Sequence, residues 1–224
     1  MAIRLEKGQR INLAKDSGDT LTRFCVGCNW GAIVTQKAGF FGLASRKDVN
    51  DVDLDLSCIM LDGDGKMIDH IYSPEYRHQF LSHYGMPDGK LVSKDGALRH
   101  SGDDRKGDIA GDDGLDNEII DVDLKKIDPR IEQIFFFLNN VGPEDFSQIP
   151  YASIRMYEGS PQNVKEVFAS YDVSAEPQYA SRRSLVMGKL YKRNGTWRFS
   201  AIGDATGDGN VCETIQRICS DYAR

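Results

Sequence analysis

The chain has 224 residues, with 28 Lys and Arg against 34 Asp and Glu, which gives a formal net charge of −6. Its 40% hydrophobic content excludes an intrinsically disordered chain, and its length suffices for a hydrophobic core without disulfide bonds. The longest apolar run, residues 134–138, is far shorter than the roughly 20 residues needed to span a bilayer. The first residues are charged and lack the apolar core of a signal peptide, so the sequence predicts a cytoplasmic protein.

Short segments that alternate apolar and polar residues run along most of the chain, a pattern typical of strands. The predicted strands are 2–6, 21–28, 53–61, 67–72, 119–124, 132–138, 151–157, 165–173, 184–192 and 196–202. Many short strands with turn residues between them favour an all-β fold. We predict one domain over residues 1–224, a two-sheet β-sandwich with a few short peripheral helices.

Five cysteines are present, an odd number that argues against a complete disulfide framework. Cys25 and Cys28 have the spacing of a zinc or redox motif, but they lie in a predicted strand. Residues three apart in a strand point to opposite faces, so these two thiols are predicted to be buried apolar groups and not a zinc or redox pair.

Two hairpins and two helices are predicted from local signals. Residues 62–66, with the sequence Asp-Gly-Asp-Gly-Lys, and the dipeptide at 194–195, Asn-Gly, are typical of hairpin turns. Ser73 followed by Pro74 predicts the start of a helix, and this helix is predicted to end before Gly85. Asn210 with Glu213 three residues later resembles a capping box at the start of a carboxyl-terminal helix.

The negative charge is concentrated in one segment. Residues 103–123 contain nine acidic and two basic residues and carry −7, while the other residues sum to +1. This distribution argues against a nucleic-acid-binding protein with a broad basic face. Much of the segment lies in a stretch of over 30 residues, between Gly85 and Glu118, that lacks strand or helix patterns. Such long loops are usually functional or disordered.

Glycines interrupt this acidic segment at short intervals. Glycine permits sharp turns, and Asp, Asn and Glu supply hard oxygen ligands, of which Ca²⁺ takes six to eight. The absence of nearby cysteines and the presence of a single histidine, His100, disfavour Zn²⁺, while Mg²⁺ prefers fewer protein ligands. The segment therefore predicts a Ca²⁺ site.

Asp53, Asp55 and Ser57 share one face of a predicted strand, opposite Leu54 and Leu56. Their polar side chains either complete the cation site or form a solvated outer face, and the sequence leaves both interpretations open.

At these residues the chain resembles the TerD family of tellurite-resistance and stress-response proteins. The resemblance covers almost the whole chain, and the insert near 40–47 with the expanded loop 73–99 is similar to the TerZ/TerX branch. The motifs that carry it are Asp53-Leu54-Asp55-Leu56-Ser57, His100-Ser101-Gly102-Asp103-Asp104, residues 111–120, residues 150–157, Met187-Gly188-Lys189-Leu190-Tyr191 and residues 197–203.

The resemblance implies a β-sandwich that binds Ca²⁺ through loop carboxylates in the bacterial cytosol, peripheral to the inner membrane. The ligand candidates that it implies are Asp53, Asp55, Asp103, Asp104, Asp108, Asp112, Asp113, Asp116 and Glu118. Many family members have Gly-Trp-Asp where this chain has Asn29-Trp30-Gly31, so a ligand role for that aspartate is absent here.

The implied function is that of a non-enzymatic, calcium-binding scaffold or sensor in a membrane-associated complex. The expected partners are a TerC-type membrane protein or other Ter proteins, without nucleic acid and without direct insertion into the membrane. An alternative is a calcium-dependent lectin-like module, or one that binds a small ligand or oxyanion. An enzyme that uses paired carboxylates is disfavoured, because bound Ca²⁺ would keep these groups ionised.

Overall fold

The computed structural model describes residues 3–4, 9–13, 21–37, 46–172 and 177–223. Residues 2, 5–6 and 173 of the predicted strands, and residues 40–45 of the predicted insert, lie outside this described part. No helix within it is long and apolar enough to cross a membrane.

The elements are mostly strands. The strands are β1 (Ile3–Arg4), β2 (Arg10–Asn12), β3 (Arg23–Trp30), β4 (Ile33–Lys37), β5 (Arg46–Asn50), β6 (Leu54–Leu61), β7 (Met67–Ile71), β8 (Leu98–His100), β9 (Glu118–Asp123), β10 (Gln133–Asn140), β11 (Ala152–Ser160), β12 (Asn163–Asp172), β13 (Ser184–Arg193) and β14 (Thr196–Thr206). The α-helices are α1 (His78–His83) and α2 (Val211–Arg217), and a π-helical turn, Ile218–Tyr222, extends α2. Single 3₁₀ turns lie at Phe146–Gln148 and Pro177–Tyr179.

Two six-stranded sheets form a sandwich, which confirms the predicted fold class. The first sheet has the order β1-β12-β11-β3-β9-β8 and the second β2-β14-β13-β10-β6-β7, while β4 and β5 form a separate two-stranded ribbon. Apolar side chains from the inner faces of both sheets share one core, to which β3 contributes Phe24 and Val26, β6 contributes Leu56 and β10 contributes Phe136. Burial of this surface stabilises the fold.

The second sheet is also covered on its outer face. Ile59 and Phe135 pack there against Cys212 and Ile215 of α2. Every residue of β6 is buried in consequence, including those of its outward-pointing set. The polar residues in the first half of β6, Asp55 and Ser57, are therefore shielded from solvent although they point away from the core between the sheets.

Both predicted hairpin turns are confirmed. In the first turn, Asp62 Oδ1 accepts hydrogen bonds from the backbone N–H groups of Asp64 and Lys66 at 3.0 and 2.9 Å. In the second, Asn194 and Gly195 have φ angles of 53° and 75°, the positive values that a tight type I′ turn requires.

The carboxyl-terminal helix is confirmed, and the start of the other helix was wrongly predicted. Asn210 Oδ1 accepts a hydrogen bond of 3.1 Å from the Glu213 N–H, which caps α2. Helix α1 begins at His78 and not at Pro74, because the Ser73 hydroxyl accepts the Glu75 N–H and closes a separate turn. The stretch expected to be irregular also contains β8.

The prediction for the cysteines of β3 is confirmed. Cys28 lies in the core between the sheets, and Cys25 lies in a small cluster with Ile119 and Tyr157 on the other face of the first sheet. Both thiols are free. Opposite faces of one strand therefore separate the two groups, as the spacing requires.

Candidate metal centre

Six of the nine candidate acids form two groups at one end of the sandwich, each able to place three carboxylate oxygens within 4.8 Å of one another. The first group is Asp53, Asp55 and Asp103. The second group is Asp108, Asp112 and Asp113. We call these the inner and the outer acidic group.

The inner acidic group lies where β6 begins and where the chain leaves β8. The backbone carbonyl of Asp53 accepts a hydrogen bond of 2.9 Å from the backbone N–H of Val141, which follows β10, and this bond fixes the position of Asp53. Asp55 is the second residue of β6 and points to the outer face of the second sheet. Asp103 follows a turn at Gly102, whose φ of 120° favours glycine.

Two buried oxygens of the inner group lack donors within the described part of the chain, although the Ser73 hydroxyl lies 3.4 Å from the other carboxylate oxygen of Asp103. Asp53 Oδ1 and Asp103 Oδ1 are buried and have no hydrogen-bond donor among the described residues, and Asp55 is only 4% exposed. The nearest cation is Arg105, whose Nε lies 3.9 Å from Asp53 Oδ2. Buried carboxylate oxygens without donors are costly in a folded protein, so this arrangement suits a bound cation.

Burial raises the pKa of two acids in the inner group. The pKa of Asp53 is raised to about 6, first by burial and then by the charge of Asp103, while Arg105 opposes the change. Burial also raises the pKa of Asp55 well above its usual value, and the charge of Glu118 adds to this. Both shifts express the difficulty of holding several negative charges together away from water.

The interpretation of this strand face as solvated is wrong. Ser57 is fully buried, and the hydroxyl of Tyr76 donates a hydrogen bond to Asp55. Tyr76 belongs to the segment that leads into α1 and packs, with Tyr72 and Phe80, against the outer face of the second sheet. Aromatic side chains distant in sequence therefore shield the polar face of β6.

Glu118 and His100 hold the inner group in place. Glu118 is 1% exposed and accepts the backbone N–H groups of Leu56 at 2.7 Å and Asp104 at 3.0 Å. His100 Nδ1 accepts the Gly102 N–H, so His100 Nε2 carries the proton and donates to the Leu56 carbonyl. Both nitrogens of His100 are engaged, and the ring is unavailable as a metal ligand in this arrangement.

The outer acidic group is more exposed and better supplied with donors. Asp108 Oδ2 accepts the Tyr151 hydroxyl at 2.9 Å, and Asp112 Oδ1 accepts the Asn29 side-chain amide at 2.8 Å. Asp113 Oδ1 accepts the Leu115 N–H at 2.8 Å. These bonds shape the loop and satisfy part of its acceptor capacity.

Trp30 anchors this loop to the sandwich. Its indole N–H donates to the Val52 carbonyl, and its backbone carbonyl accepts the Asp108 N–H at 3.0 Å. Gly107 passes directly over the indole ring with a φ of 68°, where a Cβ would clash. The close approach explains why a glycine stands at this point of the loop.

The three remaining candidates, Asp104, Asp116 and Glu118, lie outside both groups. Asp104 Oδ1 accepts the Lys106 N–H and Asp104 Oδ2 accepts the side-chain amide of Asn117. That amide also lies 3.3 Å from Asp108 Oδ1, so Asn117 links Asp104 to the outer acidic group. Glu118 makes the backbone contacts already described.

Asp116 is paired with a base. It is 1% exposed in its side chain and accepts Arg155 Nε at 2.9 Å. The Arg155 guanidinium also donates to the Gly114 carbonyl. Asp116 lies against Gly27 of β3, which leaves no room for a Cβ at that position. The pKa of Asp116 is raised by burial, and Arg155 opposes this change.

Sequence reasoning missed Asn29, Tyr76, Tyr151 and Arg155 as neighbours of the acids. Asn29 is 4% exposed, and its Oδ1 is buried without a hydrogen-bond partner among the described residues. Asn29 precedes Trp30 in the segment where the chain departs from the family motif. That departure is the sequence feature that could have pointed to Asn29. The other three contacts join distant parts of the chain.

The fold and these groups define an all-β protein with two sets of carboxylates suited to hard cations. The chain belongs to the TerD domain family, whose model matches residues 1–222.

Relatives of this family match nearly the whole chain. It is 33% identical to the stress response protein SCP2 of Bacillus subtilis (strain 168), over 97% of this chain and 99% of that protein. It is 31% identical to the tellurium resistance protein TerZ of Serratia marcescens, over 99% of this chain and 100% of that protein. The fold is similar to that of a homologue of the telluride resistance protein TerD from Streptomyces coelicolor A3(2), with a TM-score of 0.59, 14% identity and coverage of 91% of this chain and 98% of that one.

Proposed function

We propose that this protein is a non-enzymatic, calcium-binding stress-response protein, a scaffold or sensor whose ion-ordered loop presents a surface to a partner. One observation carries the proposal: Asp53 and Asp103 each hold a buried oxygen without a donor, beside the buried carboxylate of Asp55. Carboxylates this close repel one another by on the order of kcal/mol per pair, and a divalent cation removes that repulsion.

Calcium fits the donors better than the common alternatives. The inner group offers carboxylate oxygens at separations that one ion can bridge, and Ca²⁺ accepts such ligands singly or in pairs in a flexible geometry. Zinc would call for cysteine or histidine ligands, and both nitrogens of His100 are already engaged. The outer group, with Asn29 beside it, offers a second set of hard oxygens.

A scaffold or sensor role follows from the use of these acids as ligands. General acid–base catalysis needs a group that exchanges protons near the operating pH, whereas Ca²⁺ would hold Asp53 and Asp55 ionised. The nearest imidazole, that of His100, is buried and bonded at both nitrogens. These features favour a binding function over catalysis.

The proposed setting is a membrane-associated complex on the cytoplasmic side of the inner membrane. Relatives are named for tellurium resistance and for stress response. The proposed partners are a TerC-type membrane protein or other Ter proteins. We expect such a partner to co-purify with this chain in Ca²⁺ and to be lost in chelator; equal recovery in both would contradict a calcium-ordered surface.

Calorimetric titration of Ca²⁺ into the chelator-stripped protein tests the calcium proposal. We expect saturable binding and a melting temperature that rises with Ca²⁺, because a ligand that binds only the folded state stabilises it. The double variant Asp53→Asn/Asp103→Asn should lose the inner-site heat and most of the rise. Asp64→Asn, in the exposed hairpin turn at the other end of β6, is the matched control and should behave as wild type. A wild-type protein whose melting ignores both Ca²⁺ and chelator would overturn the proposal.

A further inference from the structure

A cavity of about 300 Å³ lies directly against the inner acidic group. It is far larger than the ~10–15 Å³ that one water molecule needs. Its lining combines the three carboxylates with two guanidinium groups, those of Arg77 and Arg105, and with the half-exposed side chain of Val141. A cation held by the inner group would therefore face an open chamber that also contains positive charge.

The inner group alone leaves Ca²⁺ with coordination positions to fill. Three carboxylates supply between three and six oxygens, depending on whether each binds through one or both, whereas Ca²⁺ takes six to eight. Coordination positions that face the cavity can be filled by water or by oxygens of a bound molecule.

The two arginines are placed to hold such a molecule. Arg105 is shared between Glu75, at 3.2 Å, and Asp53, at 3.9 Å, so neither contact is a full two-pronged pair. Arg77 is exposed and makes no side-chain hydrogen bond or ion pair within the described part of the chain. A guanidinium group with free donors is suited to the planar recognition of phosphate or carboxylate oxygens.

The charge of the cavity makes anion binding depend on calcium. Four carboxylates, those of Asp53, Asp55, Asp103 and Glu75, and two guanidinium groups line it. With all four carboxylates ionised and no metal bound, this lining carries a surplus of two negative charges and repels an anion. One Ca²⁺ cancels the surplus and offers an open coordination position at the same point.

We propose that this cavity is a calcium-dependent binding site for a phosphate group, with one phosphate oxygen on the Ca²⁺ of the inner group and the others on Arg77 and Arg105. The inference rests on the proposed calcium site. The phosphate belongs either to a small soluble monoester or to an anionic lipid headgroup, which share this chemistry.

Titration with sn-glycerol 3-phosphate tests the site, since its calcium salt is more soluble than calcium phosphate. We expect Ca²⁺ to tighten its binding at least fivefold over chelator, and the ester to tighten Ca²⁺ binding by the same factor, because coupling between sites is reciprocal. Arg77→Gln/Arg105→Gln should lose this coupling and still bind Ca²⁺. Arg193→Gln, exposed at the opposite end of the second sheet, is the control and should keep it.

Sedimentation with vesicles of phosphatidylcholine, with or without phosphatidylglycerol, is the second arm. Calcium-dependent sedimentation only with phosphatidylglycerol, lost in the double arginine variant, supports the site with a lipid source; response to the soluble ester alone supports it with a free ligand. Ca²⁺ binding without either response, or responses unchanged in the double variant, overturns the phosphate site and leaves the calcium proposal standing. Failure of Ca²⁺ to bind at all overturns both.

Discussion

The inner and outer acidic groups use the same residue type at the same end of the molecule, yet their surroundings differ. Asp55 is 4% exposed and faces Tyr76, while Asp112 and Asp113 are exposed in a surface loop. Buried oxygens of the inner group lack donors, whereas the outer carboxylates accept side-chain and backbone donors.

The difference indicates that burial and donors, more than the number of acids, determine the electrostatic penalty that a carboxylate group carries when no cation is bound. The inner group carries an electrostatic penalty when empty, because its charges are held together away from water. The outer group is stabilised by its own hydrogen bonds and by solvent. Calcium removal should therefore affect the two groups unequally, and the following variants test this in order of expected effect.

Arg155→Gln should produce the largest loss, about 3 kcal/mol of unfolding free energy, because it leaves the buried carboxylate of Asp116 without its partner. Urea denaturation measures this loss. Adding Asp116→Asn should recover much of it, since no unpaired charge then remains. If addition of Ca²⁺ restored the unfolding free energy of Arg155→Gln, Asp116 would be a metal ligand, and a third cation site would lie outside the inner and outer groups.

The effect of Asp55→Asn on the free energy of unfolding should differ between chelator and Ca²⁺. In chelator the neutral amide removes a buried charge, and stability should be unchanged or higher. At a Ca²⁺ concentration of 100 times the dissociation constant, the variant should lose up to about 2.7 kcal/mol of ligand-linked stability. Paired denaturation curves in chelator and in Ca²⁺ provide the measurement. Equal destabilisation under both conditions would mean that Asp55 serves folding and not the ion.

The pH dependence of stability should also reverse with calcium. The folded-state pKa of Asp53 is raised to about 6, so between about pH 4 and 6 the folded metal-free protein holds a proton that the unfolded chain has released. Metal-free stability should fall as pH rises through this window, by on the order of 1 kcal/mol after allowance for partial exposure. With Ca²⁺, which needs the ionised carboxylate, stability should rise instead.

Denaturation at pH 5 and pH 7, in chelator and in Ca²⁺, checks this reversal. Asp53→Asn removes one of the titrating groups and should reduce both slopes, while Asp55, whose pKa is also raised, keeps part of them. A metal-free protein that becomes more stable toward pH 7 would contradict the assignment of a raised pKa to Asp53.

Tyr151→Phe should have the smallest effect, about 0.5 kcal/mol, because it removes one partly exposed hydrogen bond to Asp108. It should weaken calcium binding at the outer group and leave the inner group unchanged, which calorimetry would resolve. Tyr191→Phe, on β13 at the opposite end, is the control. An equal effect of Tyr151→Phe on both groups would show that they behave as one site.

Local signals explain why part of the fold was predictable. The turn at Asn194 and Gly195 and the cap at Asn210 depend on residues within a few positions of each other, and the sequence displays them directly. The start of α1 was wrong for a local reason as well, since Ser73 followed by Pro74 fits a turn as well as a helix start. Sequence alone does not decide between them.

The sequence predicted the candidate site as a set of acids, but it did not predict that they divide into an inner and an outer group. Which carboxylates converge depends on the meeting of β6, the loop after β8 and the segment before α1. The burial of Asp55 depends on Tyr76, and the pairing of Asp116 depends on Arg155, 39 residues further along the chain. Such contacts are set by tertiary packing and leave no periodic signal.

Asn117 gives the molecule a built-in spectroscopic probe. Its side-chain amide donates to Asp104 and lies close to Asp108, while its side-chain oxygen accepts the backbone N–H of Trp30 at 2.8 Å. The two amide protons thus report from a point between Asp104 and the outer acidic group, without any added label. In a nitrogen-edited NMR spectrum, this one resonance pair should shift when an ion binds at the outer group and stay in place while only the inner group fills.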